Sequence, residues 1–257
     1  MAIRFIGMVH LGPLPGSPGY EGDFEAVLES AGRDATILTE TGFDALVVEN
    51  FGDAPFFSDD VPKVTVAAMA RAVTVLRMAT GLPIGVNILR NDALAALAVA
   101  GTCGASFIRV NVLSGTMHTD QGPITGRAAD LARLRAAVAP HVEVYADVFV
   151  KHAIPPPGAT IGQIAADTYR RGGADALILS GSATGEPADL AQFDLVRAAV
   201  PEARILAGSG ASVETIGALI DHADGAIVGT SIKVGGVTTA PVDPARAAAF
   251  MAAARSR

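Results

Sequence analysis

Short, mostly apolar runs alternate along this chain with longer stretches of mixed polarity. The runs are Arg4–Val9, Ala45–Glu49, Ile84–Ile88, Ser106–Asn111, Val142–Val148, Ala176–Leu179, Arg204–Ala207 and Ala226–Val228. Such runs suit strands buried on both faces. The stretches between them read as helices beginning near Asp23, Lys63 (running to Thr80), Asp92, Gly126, Ile161, Ala188, Val213 and Asp243. Strands alternating with helices predict a parallel sheet. Eight such units in 257 residues predict an α/β fold, a single (β/α)8 TIM-barrel domain spanning 1–257.

The connections fall into two kinds. Phrases such as Thr41-Gly42-Phe43-Asp44, Gly101–Ala105, Gly172-Gly173-Ala174-Asp175 and Ala223-Asp224-Gly225 each precede a strand. They read as helix C-caps leading into tight turns, with a structural role. The segments 10–22, 49–62, 112–126 and 148–160 are longer and rich in Gly, Pro, Ser and Asp. Long loops after strands and short turns before them mark the strands' C-terminal ends as the functional face.

Strand alternation sorts the barrel interior from its exterior. In the fourth run Ile108 and Val110 face helices, so Phe107, Arg109 and Asn111 point inward. The same logic turns Tyr145 and Asp147 inward, and Asn87 with them. The first two runs end at His10 and at Glu49-Asn50. His10, Glu49, Asn87, Arg109, Asn111 and Asp147 therefore form a predicted polar ring at the barrel mouth. Burying charge without a role is costly, so Glu49 and Asp147 are the expected acid/base pair. Arg109 and Asn111 would orient a substrate, and His10 is a further proton carrier. A one-residue slip in the second strand would exchange Glu49 with Asn50.

Two late strands each run into a turn of small residues, Gly208-Ser209-Gly210 and Gly229-Thr230-Ser231. Glycine lets backbone amides approach a ligand, and a following helix adds its positive end. Paired turns after the seventh and eighth strands of such a barrel commonly cradle phosphate. The expected phosphate site is Gly208, Ser209, Gly210, Gly229, Thr230, Ser231 and Lys233, with the turn Ser180–Gly185 as an accessory. The chain has only three lysines, Lys63, Lys151 and Lys233. A cation at a helix start opposes the dipole, so Lys63 and Lys233 read as answering an anion. No strand interior holds a lysine, which argues against a Schiff-base enzyme.

Bulk composition narrows the classes. Net charge is −7 with no basic run, which speaks against nucleic-acid binding. No apolar run reaches the length of a spanning helix. No secretory-type leader is evident, so a cytoplasmic location is expected. The single cysteine, Cys103, excludes an intrachain disulfide and reads as a packing residue. Histidines lack metal-ligand spacing, so neither metal nor cofactor is expected.

The motifs Gly7–Gly16, Leu46–Phe56, Arg109-Val110-Asn111, Tyr145–Val148 with Lys151-His152, and the two glycine turns resemble the BtpA/SgcQ family over essentially the whole chain. The resemblance implies a ribulose-phosphate-binding type of barrel. One family member is linked to photosystem I accumulation and another lies in a sugar-utilisation operon. A remoter likeness, Glu49 followed by Pro55-Phe56-Phe57-Ser58-Asp59, joins the chain to the α subunit of tryptophan synthase, with one inserted Phe. The expectation is a homo-oligomeric enzyme acting on a phosphorylated sugar or sugar-derived metabolite by isomerisation, epimerisation or lyase cleavage. Glycosidic cleavage by the two carboxylates stays open. The competing expectation is a non-catalytic assembly factor for a membrane complex such as photosystem I.

Overall fold

A computed structural model describes residues 4–181 and 189–256. Eight parallel strands close into a barrel: β1 (Phe5–His10), β2 (Ala45–Glu49), β3 (Ile84–Asn87), β4 (Phe107–Val110), β7 (Glu143–Val148), β9 (Ala176–Leu179), β10 (Arg204–Ala207) and β11 (Gly225–Val228). They neighbour one another in chain order, and β11 pairs back onto β1. The helices are α1 (Phe24–Glu40), α2 (Lys63–Thr80), α3 (Ala93–Cys103), α4 (Ala128–Val138), α5 (Ile161–Ala166), α6 (Leu190–Ala199), α7 (Ile216–Leu219) and α8 (Pro244–Arg255). Aspartate side chains cap α1, α3, α6 and α8 through Asp23, Asp92, Asp189 and Asp243, meeting amides that a helix start leaves unpaired.

Strand alternation divides the core into two shells. Ile6, Met8, Ala45, Val47, Phe107, Tyr145, Ala176, Ile178, Leu206 and Ile227 fill the barrel. Their odd-register neighbours, among them Val9, Val48, Ile108 and Val144, pack under the helices. The Phe107 and Tyr145 rings stack with centroids 4.4 Å apart. Room for that stack comes from Gly85, where a Cβ would stand 2.1 Å from the Phe107 ring.

The turns before strands carry a repeated device. Asp44, Asp175 and Asp224 each accept the backbone N–H of a residue on the preceding barrel strand, from Phe5, Val144 and Ile205 respectively, at 2.8 Å. The aspartate that ends each of these turns thus stitches the bottom of the barrel, a structural role.

The top face departs from expectation in the segment 112–126. It is not a plain loop but a hairpin, β5 (Thr116–Thr119) and β6 (Gly122–Thr125), extended by β8 (Ala153–Ile154) from another loop. Met117 and Ile124, cross-strand partners, bury with Val112 and Val150 in a small core of their own. Among the described residues no helix is long and apolar enough to cross a membrane.

Candidate active site at the barrel mouth

The polar ring forms as predicted. The β2 register places Glu49, not Asn50, inside the barrel opposite His10 and Asn87. Asn50 instead accepts from the Leu89 amide at 2.7 Å and donates to Asp53 at 3.0 Å. Below the rim, Arg109 grips Asp147 with two bonds, Nε to Oδ1 at 3.2 Å and Nη2 to Oδ2 at 3.0 Å. Both side chains are 1% exposed, so the pair is sealed from water. Asn111 Nδ2 adds a third donor to Asp147 Oδ2 at 2.9 Å.

That third bond sets the direction of a chain of hydrogen bonds. Asn111 points its amide nitrogen at Asp147, so its Oδ1 faces Asn87 and accepts from Asn87 Nδ2 at 3.2 Å. Asn87 Nδ2 also lies 3.3 Å from the Arg109 carbonyl. Asn87 Oδ1 is therefore the atom 2.5 Å from Glu49 Oε2. Turning the Asn87 amide over would present nitrogen to Glu49 and let its oxygen accept from the Ile88 amide at 3.3 Å, but would set that oxygen against the oxygens of Asn111 and Arg109. Two acceptors at such a distance need a proton between them. Burial pushes the Glu49 carboxyl above its ordinary range, while Arg109 and Lys151 pull it back and Asp147 adds to the rise. Burial thus favours the protonated form of Glu49, and the short contact to Asn87 accommodates a proton between the two side chains.

His10 Nε2 lies 3.6 Å from Glu49 Oε1, and its ring packs against Phe51 with centroids 4.6 Å apart. Burial first, then the charges of Lys233 and Lys151, pushes the imidazole pKa down to about 3. His10 is accordingly neutral, and its buried Nδ1 has no hydrogen-bond partner among the described residues.

Two cavities open onto this ring. One, of about 250 Å³, is lined by His10, Lys151, Gly208–Ser212, Thr215, Gly229, Thr230, Ser231 and Gly236. Six of the seven residues expected to bind phosphate line it. The backbone N–H groups of Gly210, Ala211, Thr230 and Ser231 have no acceptor among the described residues. Ser231 Oγ donates to the Ala211 carbonyl at 2.6 Å and so joins the two turns. Among the described residues the elements that follow them are the four-residue α7 and short 3-10 turns at Thr230–Ile232 and Val234–Gly236. The cradle is thus one of turn amides, and the expected dipole of a long helix is absent there. Ser180 and Gly181 stand beside it; residues 182–185 of the accessory turn lie outside the described residues.

Lys233 corrects the expectation. Its ammonium turns away from the cradle and donates to Asp34 Oδ2 of α1 at 2.6 Å, with the lysine side chain 1% exposed. It is a structural cation. Lys63 opens α2, exposed to solvent, and lines neither cavity.

The second cavity, of about 430 Å³, is lined by Glu49, Phe51, Phe56, Leu89, Arg90, Asn111, Asp120, Lys151 and His152. Asp147 and Arg109 line neither cavity. Lys151 lines both. Its loop is held by Arg90, whose Nη2 donates to the Lys151 carbonyl at 2.5 Å, and by β8 just beyond it. Phe149 and His152, on either side, adopt left-handed φ of 53° and 57°, a conformation that L-residues hold only where surroundings enforce it. Sequence reasoning undervalued Lys151 because it sits in a loop; its neighbour His152 and the preceding Asp147 strand were the available signal. No cluster of three or more metal-type ligands exists among the described residues.

A closed ring of eight parallel strands with buried polar residues at their C-terminal ends makes this protein a TIM barrel. Solved structures share the fold. Tryptophan synthase from M. tuberculosis superposes with a TM-score of 0.64 at 18% identity, covering 98% of this chain and 94% of that one. N-(5'-phosphoribosyl)anthranilate isomerase from Pyrococcus furiosus gives 0.61 at 13% identity, with both chains fully covered. Orotidine 5'-phosphate decarboxylase from Pyrococcus horikoshii gives 0.59 at 18%, covering 98% and 100%. By sequence the chain belongs to the BtpA family, whose model matches residues 2–256. An uncharacterised protein of Thermococcus kodakarensis is 49% identical over 89% of this chain and 86% of its own length. The photosystem I biogenesis protein BtpA of Synechocystis is 46% identical over 96% and 86%. A mitochondrial protein of Caenorhabditis elegans is 31% identical over 95% and 90%.

Proposed function

We propose that this barrel is an enzyme acting by acid/base chemistry on a phosphorylated sugar or sugar-derived metabolite. The observation that carries the reading is Lys151, which lines both the amide-rich cradle and the cavity of Glu49. One ligand can therefore place an anionic group on Gly210, Ala211, Thr230 and Ser231 while its reacting carbons lie beside Glu49. The superposed barrels whose names include phosphoribosyl or 5'-phosphate substrates suit that reading, although likeness of fold alone does not assign chemistry.

In this reading Glu49 is the proton donor, kept protonated by burial and by Asn87. Asp147, placed by sequence in the acid/base pair, is spent on Arg109 and Asn111; it sets the polarity of the network instead of moving a proton. Arg109 and Asn111 then act from beneath, and His10 serves as a neutral hydrogen-bonding imidazole. Isomerisation, epimerisation and lyase cleavage can each draw on a proton donor beside the reacting carbon.

The assembly-factor reading rests on the name of the Synechocystis relative. The Caenorhabditis elegans relative comes from an animal, and animals have no photosystem. A chemistry-bearing mouth also fits a metabolite better than a scaffold. Thermal-shift screening of sugar phosphates against the same unphosphorylated sugars tests the proposal. Stabilisation by the phosphorylated set alone is expected, about 2.7 kcal/mol at 100 times the dissociation constant. An equal response from both sets, or from neither, overturns it.

A further inference from the structure

We infer that the side-chain amine of Lys151 is a nucleophile that condenses with the carbonyl of a phosphorylated aldehyde or ketone seated between the two cavities. The inference deepens the proposed function and rests on its phosphate cradle. Lys151 is the lysine of the three that opens onto the site, since Lys233 is locked to Asp34 and Lys63, at the start of α2, lines neither cavity. Its side-chain nitrogen has no hydrogen-bond or salt-bridge partner among the described residues, while its backbone carbonyl is fixed by Arg90. The backbone is thus anchored and the amine is left facing ligand space. Burial, then the positive charge of Arg109, lowers its pKa to about 8, with Glu49 and Asp147 opposing. About a tenth of the side chain is therefore neutral amine at pH 7, the form that attacks a carbonyl.

The step balances with groups already present. Lys151 Nζ forms a bond to the carbonyl carbon, and proton transfer from nitrogen to oxygen gives a carbinolamine. The C–O bond then breaks as Glu49 delivers its proton to the departing hydroxyl, which leaves as water. The products are an iminium joined to Lys151 and an ionised Glu49, placed to take a proton from the adjacent carbon or hydroxyl. The absence of lysine from the strand interiors had argued against this chemistry. A lysine on the loop straight after β7 reaches the mouth without occupying a strand.

Pyridoxal 5'-phosphate, which carries both an aldehyde and a phosphate, is the probe, trapped with sodium borohydride and located by peptide mass. The intact protein carries its own comparator in Lys63. Lys151 should label about 10-fold or more faster than Lys63, inorganic phosphate should suppress that labelling, and Lys151→Arg should remove it without lowering the melting temperature. If inorganic phosphate raises the melting temperature yet Lys151 labels no faster than Lys63, the amine inference falls and the cradle stands. If phosphate neither stabilises the protein nor protects Lys151, the cradle reading falls and takes this inference with it.

Discussion

Glu49 Oε2 and Asn87 Oδ1 stand 2.5 Å apart, a separation that a shared proton explains and two bare acceptors do not. A glutamine at 49 can offer an N–H in place of that proton. The Glu49 pKa is raised, so its favourable contribution is fully present below the ordinary value of 4.5 and is lost as pH rises through the folded value. Glu49→Gln should match the parent near pH 4 by urea denaturation and exceed it in stability on the alkaline side. Turnover should drop by about 10²–10⁴-fold, the usual worth of general acid/base help. A parent and variant with parallel pH profiles would remove the shared proton from the account.

His10 gives an opposite pH dependence. Its pKa falls from 6.5 to about 3, so the unfolded chain binds a proton that the folded chain refuses between those values. Stability should therefore fall as pH drops from 6.5 toward 3, by a total on the order of 5 kcal/mol. His10→Gln, which keeps a polar atom near Glu49, should flatten that part of the curve. Urea midpoints at half-unit pH steps measure it, and an unchanged acid limb would mean that other groups carry it.

Lys233 and Asp34 test a structural role against a binding one. Asp34 also accepts the Val242 amide at 2.8 Å, so the pair ties α1 to the segment entering α8. Lys233→Met leaves that carboxylate buried without its cation and should cost about 3–5 kcal/mol. Phosphate affinity of the folded fraction should not change. A variant of full stability with weakened phosphate binding would return Lys233 to the cradle.

Gly210 has φ of +71° in the cradle. Gly210→Asp adds roughly 1–2 kcal/mol of backbone strain and sets a negative charge where an anion is expected. Gly22→Asp is the matched control: φ is +93° and nothing lies within 4 Å of the added carbon. The first variant should lose the phosphate-induced rise in melting temperature and the second should keep it. Loss in both, or in neither, would place the anion elsewhere.

The sequence made the barrel legible because its signal is local. Phe107, Arg109 and Asn111 alternate with Ile108 and Val110, and the two sets went to opposite shells as period-two geometry requires. The same rule found His10, Glu49, Asn87 and Asp147. What stayed hidden was pairing between distant residues. A lysine at a helix start looked available to an anion because Asp34 lies 199 positions away. Asp147 looked like a proton carrier until Arg109 and Asn111 were seen to consume both its oxygens. The ribbon at 116–125 escaped because each strand buries one apolar residue, Met117 or Ile124, too few to show alternation.

That ribbon has a bearing on how the family can diversify. TIM barrels commonly change their chemistry through independent replacement of the loops above each strand. Here His118 and Thr119 pair with Ile154 and Ala153, so the loop after β4 and the loop carrying Lys151 are knitted into one piece. An insertion or deletion in either would shift the other. The two must be inherited as a unit, and homologues that keep a lysine at the position of Lys151 should keep the hairpin's length, while the loops of the cradle are left to vary on their own.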